Sequence, residues 1–434
     1  MRKQRVWPLV TGMFACMLAW LMFVFVGTLH GWWRRPLAPQ GEARAFAAAA
    51  VRKLEQNRRG NLVFVLIQAG RPVAEHAAAP AGQPVDRDTL FQVASLSKWV
   101  SAWGVMTLVE SGKLDLDKPI GHYLTRWKLP KSEFNNDAVT VRRLLSHTAG
   151  LTDGLGYGGF SPGVAVQSLE DSLTRASDAS PHADGRVRVG LAPGTKWRYS
   201  GGGYTLLQLV IEEVSGEPFE SYMTRAVFRP LGMNRSRYSV GTGVSNVAAF
   251  FGEDGSVATH YRFTSLAATS LYTSALDLTR FVTAHVHGPS SGEPPGRGVL
   301  TPATLELMRR PHASQFGAEI WGLGTMLYAP NEADGFIIGH DGSNEPAVNT
   351  TARLDPASGD AIIILETGNR LLATELGSDW VFWKTRSIDF LEFTRVSTRF
   401  IRLIVGGWVA LLAATTAAIL WRRRRSAMHA VRTT

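Results

Sequence analysis

The chain has 434 residues, 45% of them hydrophobic and 19% charged, with a formal charge of +10. That length holds one large domain or two ordinary ones, and that balance excludes a disordered chain. A nucleic-acid surface is set aside as well. Many of the basic residues flank two apolar stretches (Arg2, Lys3, Arg5, Arg34, Arg35, Arg399, Arg402 and Arg422 to Arg425), where they act as topology signals facing anionic headgroups.

Residues 1–5 form a short basic tail. Residues 6–29 are almost wholly apolar and long enough to cross a hydrocarbon core, and Trp32, Trp33, Arg34 and Arg35 follow at the expected interface. A retained anchor is the expectation. The competing reading, a cleaved signal peptide, calls for a shorter apolar region and a small-residue cleavage site. The single cysteine, Cys16, lies inside this stretch, so no disulfide framework, zinc cluster or cysteine nucleophile can be built. Residues 42–58 are good helix formers without Gly or Pro. NLVFVLIQAGRPVAEH then reads as a hairpin turning at Ala69-Gly70-Arg71-Pro72. A helix is predicted from Ser95 to about Ser111, others at 203–214 and 274–286, and a Gly/Pro/Ser loop at 288–298. VNTTARLDPASGDAIIILETG predicts two strands joined at Asp355 to Asp360. Strands thus collect at both ends of a body spanning 42–395, with helices between. A second apolar segment, 403–421, runs straight into four arginines and a basic tail, 422–434. Both termini are expected in the cytoplasm and residues 36 to about 400 outside.

Ser95-Leu96-Ser97-Lys98 follows the strand-like FQVA and opens a helix. Residues three apart on a helix share a face, so the amine reaches the hydroxyl. Partial burial lowers the lysine pKa and lets the neutral amine accept the serine proton. A helix start also offers a free N–H for an oxyanion. The tetrad alone is better read as a capping serine followed by a surface lysine. Two later elements shift the balance. Tyr199-Ser200-Gly201 follows the turn-rich APGTKWR, and a phenol near a lysine relays a proton. His340-Asp341-Gly342-Ser343 follows the strand-like FIIG and offers a donor side chain and a glycine that permits close approach.

In this order the three elements resemble the serine β-lactamase and penicillin-binding-protein superfamily, in its class C and D,D-carboxypeptidase-like branch. LFQVASLSKWVSAWGVMTLVESGKLDLDKPIGHYL, VRRLLSHTAGL, FRPLGM, LYTSALDLTRF, WGLG and GHDGSN extend the likeness over about residues 60–370. It implies an α/β, β-lactamase/transpeptidase-like fold: an antiparallel sheet built from both ends of the domain, flanked by helices, with an inserted helical subdomain. It also implies Ser95 as the acylated nucleophile, Lys98 and Tyr199 as the general-base pair, and the Ser95 and Ser343 N–H groups as the oxyanion hole. His340, Gly342 and Gly201 would contact substrate. No cofactor and no metal are implied. The expected substrate is a small molecule or peptide, peptidoglycan-derived ones included, met outside a bacterial inner membrane. Two departures matter: Gly201 stands where the family commonly has asparagine, and His340-Asp341-Gly342 where it has Lys-Thr-Gly. A weakly charged histidine and the negative Asp341 are expected to weaken recognition of β-lactam and D-Ala-D-Ala carboxylates. Weight moves to esters or other peptides. A sensor that stays acylated and a non-catalytic peptidoglycan-binding homologue are the rival functions.

Two G-x-S-x-G strings, 159–163 and 288–292, imitate another hydrolase pattern. Pro162 has no N–H for an oxyanion, and the second string sits in a loop without a preceding strand. His285-x-His287 is expected at the surface rather than on a metal, and His147 is assigned a structural role.

Overall fold

A computed structural model describes residues 7–80, 84–154, 156–181, 183–241, 243–288 and 293–431. Its strands are β1 Leu62–Gln68, β2 Arg71–Ala78, β3 Phe91–Gln92, β4 Phe250–Phe251, β5 Val257–Ala258, β6 Tyr272–Thr273, β7 Ala313–Gln315, β8 Ala318–Trp321, β9 Met326–Pro330, β10 Phe336–Asn344, β11 Val348–Asp355 and β12 Asp360–Thr367. Eight of them form one antiparallel sheet in the order β2-β1-β12-β11-β10-β9-β8-β7. The two ends of the body meet where β1 pairs with β12, Leu62 opposite Glu366. β1, β11 and β12 are buried on both faces, which is why Ile362 to Leu365 read as a continuous apolar run and not an alternation. Helices Ala43–Asn57 and Leu372–Thr385 pack on one set of strands, while Ser97–Glu110 and Ala275–Thr283 pack on β10, β11 and β12.

Several predicted boundaries move. The β1–β2 turn is only Ala69-Gly70, both with positive φ, and Arg71 and Pro72 already belong to β2. Proline is tolerated there because β2 is an edge strand. The helix expected at 203 begins at Gly201, and Gly216 ends it in the left-handed conformation. The short strands β7 to β9 were not anticipated. The serine of the second G-x-S-x-G string lies outside the described residues, as does the 1–5 tail.

Glu366 on β12 is 2% exposed and accepts the Ala373 N–H at 2.9 Å. Burial pushes its carboxyl up to about 8, against that N–H and helped by Glu375. The folded state therefore binds a proton that the unfolded state has released, so this residue's contribution to stability falls as pH rises from about 4.5 to about 8. Glu366→Gln is expected to raise the melting temperature at pH 8 and leave it nearly unchanged at pH 5. Equal shifts at both pH values in thermal scans would contradict this.

Pro36–Thr385 is one compact unit; the residues up to Arg35 and those from Arg386 onward form another. In the second unit, helices Trp7–Leu29 and Phe390–Val431 are joined by reciprocal indole bonds. Trp20 Nε1 donates to Leu403 O at 3.0 Å and Trp408 Nε1 to Met17 O at 3.1 Å. Gly407 permits the first, since a Cβ there would lie 2.0 Å from the Trp20 nitrogen. Trp7–Leu29 and Phe400–Arg422 are long and apolar enough to cross a membrane. The arginines after residue 421 continue the helix instead of ending it.

Candidate active site

β3 pairs with β6 and delivers the chain to Ala94, whose φ of +47° is left-handed. A non-glycine residue held there costs on the order of 1 kcal/mol and persists only when its surroundings impose it. They do. Val93 N donates to Leu271 O at 2.9 Å, Thr350 Oγ1 to Val93 O at 2.9 Å, and Leu271 N to Ser97 Oγ at 3.0 Å. The turn Ala94–Leu96 then feeds helix Ser97–Glu110.

Ser95 and Lys98 meet as the helical spacing requires, with Nζ 3.2 Å from Oγ. Lys98 is 2% exposed and donates to Ala268 O at 2.8 Å. Burial pushes its ammonium down to about 7, despite the opposing pull of Asp153. Nζ also lies 4.8 Å from the centroid of the Tyr199 ring, and the Tyr199 phenol is near enough to Ser95 for that side chain to favour its ionised form. Hydroxyl, amine and phenol converge. Burial drives the phenol well above its ordinary range, with Ser95 pulling the other way. A neutral phenol beside an amine that titrates near neutrality offers a proton donor and a proton acceptor in one cluster.

β10 passes directly against the nucleophile turn. A Cβ on Gly342 would lie 2.1 Å from Val93 O and 2.6 Å from Thr350 Oγ1, so only glycine fits. Gly342→Ala is expected to destabilise by about 1–3 kcal/mol, the usual scale of overpacking, and to slow acylation by displacing the turn. Unchanged melting and labelling rates would refute that. Ser343, the next residue, has an exposed side chain and pairs with Asn349. His340 is fully buried, edge-on to Trp321 at 5.5 Å, and its Nδ1 donates to Asp341 O at 2.6 Å. Burial, then Lys98, drives its imidazole down to about 3, so it is neutral.

Asp341 requires a correction. Strand alternation turns it to the opposite face from His340, where Arg353 Nη2 donates to it at 2.7 Å and the Tyr328 hydroxyl at 2.7 Å. Arg353 is itself fully buried, so the pair is neutral overall and Asp341 brings no free negative charge to the site.

Tyr199 is held by the start of helix Gly201–Ser215. Ser200 Oγ accepts the Gly203 N–H at 2.8 Å and donates to Asp153, which also accepts the Gly202 N–H at 2.8 Å. Gly201 is buried, and a Cβ on it would lie 3.0 Å from the Tyr157 ring. The Tyr157 hydroxyl bonds Thr205 at 2.8 Å. An aromatic edge thus fills the space where a longer residue's side chain would begin. His147, assigned only a structural role from sequence, is 2% exposed and stacks on Tyr199 with ring centroids 4.4 Å apart.

A family model described as Beta-lactamase matches residues 46–377. The chain belongs to that family. This beta-lactamase-family chain is 32% identical over 163 residues to Esterase EstB of Burkholderia gladioli, covering 35% of the chain and 39% of the esterase. It is 30% identical over 314 residues to Penicillin-binding protein 4 of Amycolatopsis lactamdurans, covering 69% and 77%. The fold matches that of the octameric penicillin-binding protein homologue from Pyrococcus abyssi with a TM-score of 0.63 at 23% identity, over 82% of this chain and 81% of that one. The fold is therefore β-lactamase/transpeptidase-like, and the family is one of serine hydrolases that includes esterases and penicillin-binding proteins.

The first imitation motif forms a turn. Ser161 sits in a turn before Gly163, whose φ is +85°. His285 is not at the surface: it is 5% exposed, packed among Trp99, Trp103 and Phe281 because the end of helix Ala275–Thr283 docks on the nucleophile helix. Only His287 is exposed.

Proposed function

We propose that the chain is a membrane-anchored serine acyl hydrolase that forms an acyl-enzyme on Ser95 and prefers esters to carboxylate-bearing β-lactams or D-Ala-D-Ala peptides. The observation that carries it is the Ser95–Lys98–Tyr199 cluster, with an amine poised near neutrality 3.2 Å from the hydroxyl. Ser95 Oγ attacks the acyl carbon as its proton passes to Lys98. The tetrahedral oxyanion is taken by the N–H groups of Ser95 and Ser343; Tyr199 protonates the departing alkoxide and regains its proton from the Lys98 ammonium, which leaves the amine neutral again. Water then repeats the sequence on the ester of Ser95 and releases the acid.

The ester preference rests on two features of the pocket. Gly201 supplies no amide, its side-chain space being taken by the Tyr157 ring. His340 supplies no cation, because burial keeps it neutral. A substrate carboxylate thus has no fixed charge to meet at the third motif, whereas a neutral ester asks for none. The likeness to Esterase EstB supports the same direction. Helices Trp7–Leu29 and Phe400–Arg422 would hold the chain in the inner membrane, and the arginines at 422–425 argue for cytoplasmic termini and a periplasmic body.

The test is turnover by the purified chain on nitrocefin, D-Ala-D-Ala peptides and short-chain esters, with a fluorophosphonate to report acylation. Ester turnover well above the other two, with rapid loss of label, is expected. Persistent label would favour an acylated sensor, and no labelling of a folded protein would favour a non-catalytic binder.

A further inference from the structure

His147 touches the chain on both sides of Tyr199 and the ring of Tyr199 itself. Its carbonyl accepts the Arg198 N–H at 2.8 Å, and its Nδ1 accepts the Ser200 N–H at 3.2 Å. Its ring lies against the Tyr199 ring, centroids 4.4 Å apart and planes tilted by 37°. The grip depends on an unusual backbone. With φ at +58°, His147 adopts the left-handed conformation after helix Val141–Leu145, and this directs carbonyl and ring to the same strand of loop. Accepting at Nδ1 fixes the tautomer, with the proton on Nε2. Burial first, then Lys98 and His340, push the imidazole well below its ordinary pKa, so it stays an acceptor throughout the working range.

Two other buried polar clusters stand elsewhere. The His285 cluster lies among aromatic side chains, and the Asp341–Arg353 pair lies on the opposite face of β10 from His340. His147 instead has Trp321 edge-on at 4.7 Å, the same indole that meets His340 and Tyr199.

We infer that His147 is a positioning residue for the proton donated by Tyr199, aiming the phenol at the leaving group through the Ser200 N–H, the Arg198 N–H and the face of its own ring. The inference rests on Tyr199 being the leaving-group acid. A nitrophenolate departs without protonation, whereas an alkoxide needs it. Misaiming the phenol therefore harms ethyl esters far more than p-nitrophenyl esters, while a general loosening of the fold harms both alike.

The experiment uses the full chain in detergent, p-nitrophenyl acetate and ethyl acetate, and the variants His147→Asn, His147→Gln, Tyr199→Phe and the His147→Gln/Tyr199→Phe pair. Asparagine places its oxygen near the position of Nδ1 and tolerates left-handed φ; glutamine, one methylene longer, does neither. Expected is a loss of about 10²-fold on ethyl acetate for His147→Gln, with less than about 10-fold on the nitrophenyl ester. Tyr199→Phe should show the same asymmetry, the pair should add little to either single change, and His147→Asn should stay within about 10-fold of wild type on both. Equal losses on the two esters, additive losses in the pair, or His147→Asn falling as far as His147→Gln would each overturn the inference. Failure of Tyr199→Phe to show the asymmetry overturns instead the role of Tyr199. Both arms compare proteins of matched melting temperature, and the Asn variant decides the matter should Gln not fold.

Discussion

Ser95→Ala is expected to abolish acylation: no fluorophosphonate label and at least about 10⁴-fold less ester turnover, the scale on which serine hydrolases lose their nucleophile. The Ser95 hydroxyl lies 3.2 Å from the Lys98 amine, which is placed to take its proton. The same geometry predicts little effect on stability. Ser95 is only half-buried, and the bonds that hold its turn come from Val93, Ser97 and Thr350. Equal ester turnover in wild type and variant would refute the assignment, and so would a melting temperature that collapses with the activity.

Lys98→Met is expected to lower kcat/KM by at least about 10²-fold and to erase a limb of the pH profile. In wild type the amine accepts the Ser95 proton only when neutral, so the rate should climb with pH through about 7 and then level off. The variant should show no such rise. In the variant, stability should change in the opposite sense from activity. With its pKa depressed to about 7, folded Lys98 binds fewer protons than the unfolded lysine at intermediate pH, so its burial penalty is full below about 7 and relaxes as pH rises toward the ordinary lysine value. An apolar side chain of similar length has no such penalty, and the variant should melt higher at pH 6 than wild type. A pH–rate profile identical to wild type would count against the role of Lys98; a lower melting temperature at pH 6 would count against its depressed pKa.

Much of this site was legible because its parts obey short-range rules. Ser95 and Lys98 are three apart, so a helix brings them together whatever else happens. FIIG announced a strand, and extending its alternation by two residues would already have sent Asp341 away from His340. The hidden part was its partner: Arg353 reaches Asp341 only through the register of β10 on β11. His147 was hidden in the same way, since the N–H groups it accepts belong to residues about fifty positions later, and no periodicity links them. Gly201 looked like the loss of an amide; that Tyr157 occupies the space depends on a loop path with no local signature. Strands β7 to β9 escaped because they are short and β8 bonds its neighbours through few residues.

The pairing of β1 with β12 has a consequence for how the protein is made. Their opposed residues, Leu62 and Glu366, are separated by most of the unit Pro36–Thr385. As the chain leaves the ribosome amino end first, the β1–β2 hairpin waits with the apolar edge of β1 open until β12 has been synthesised. A product cut short before residue 360 therefore keeps an unpaired apolar strand and belongs to chaperones and proteases, not to catalysis.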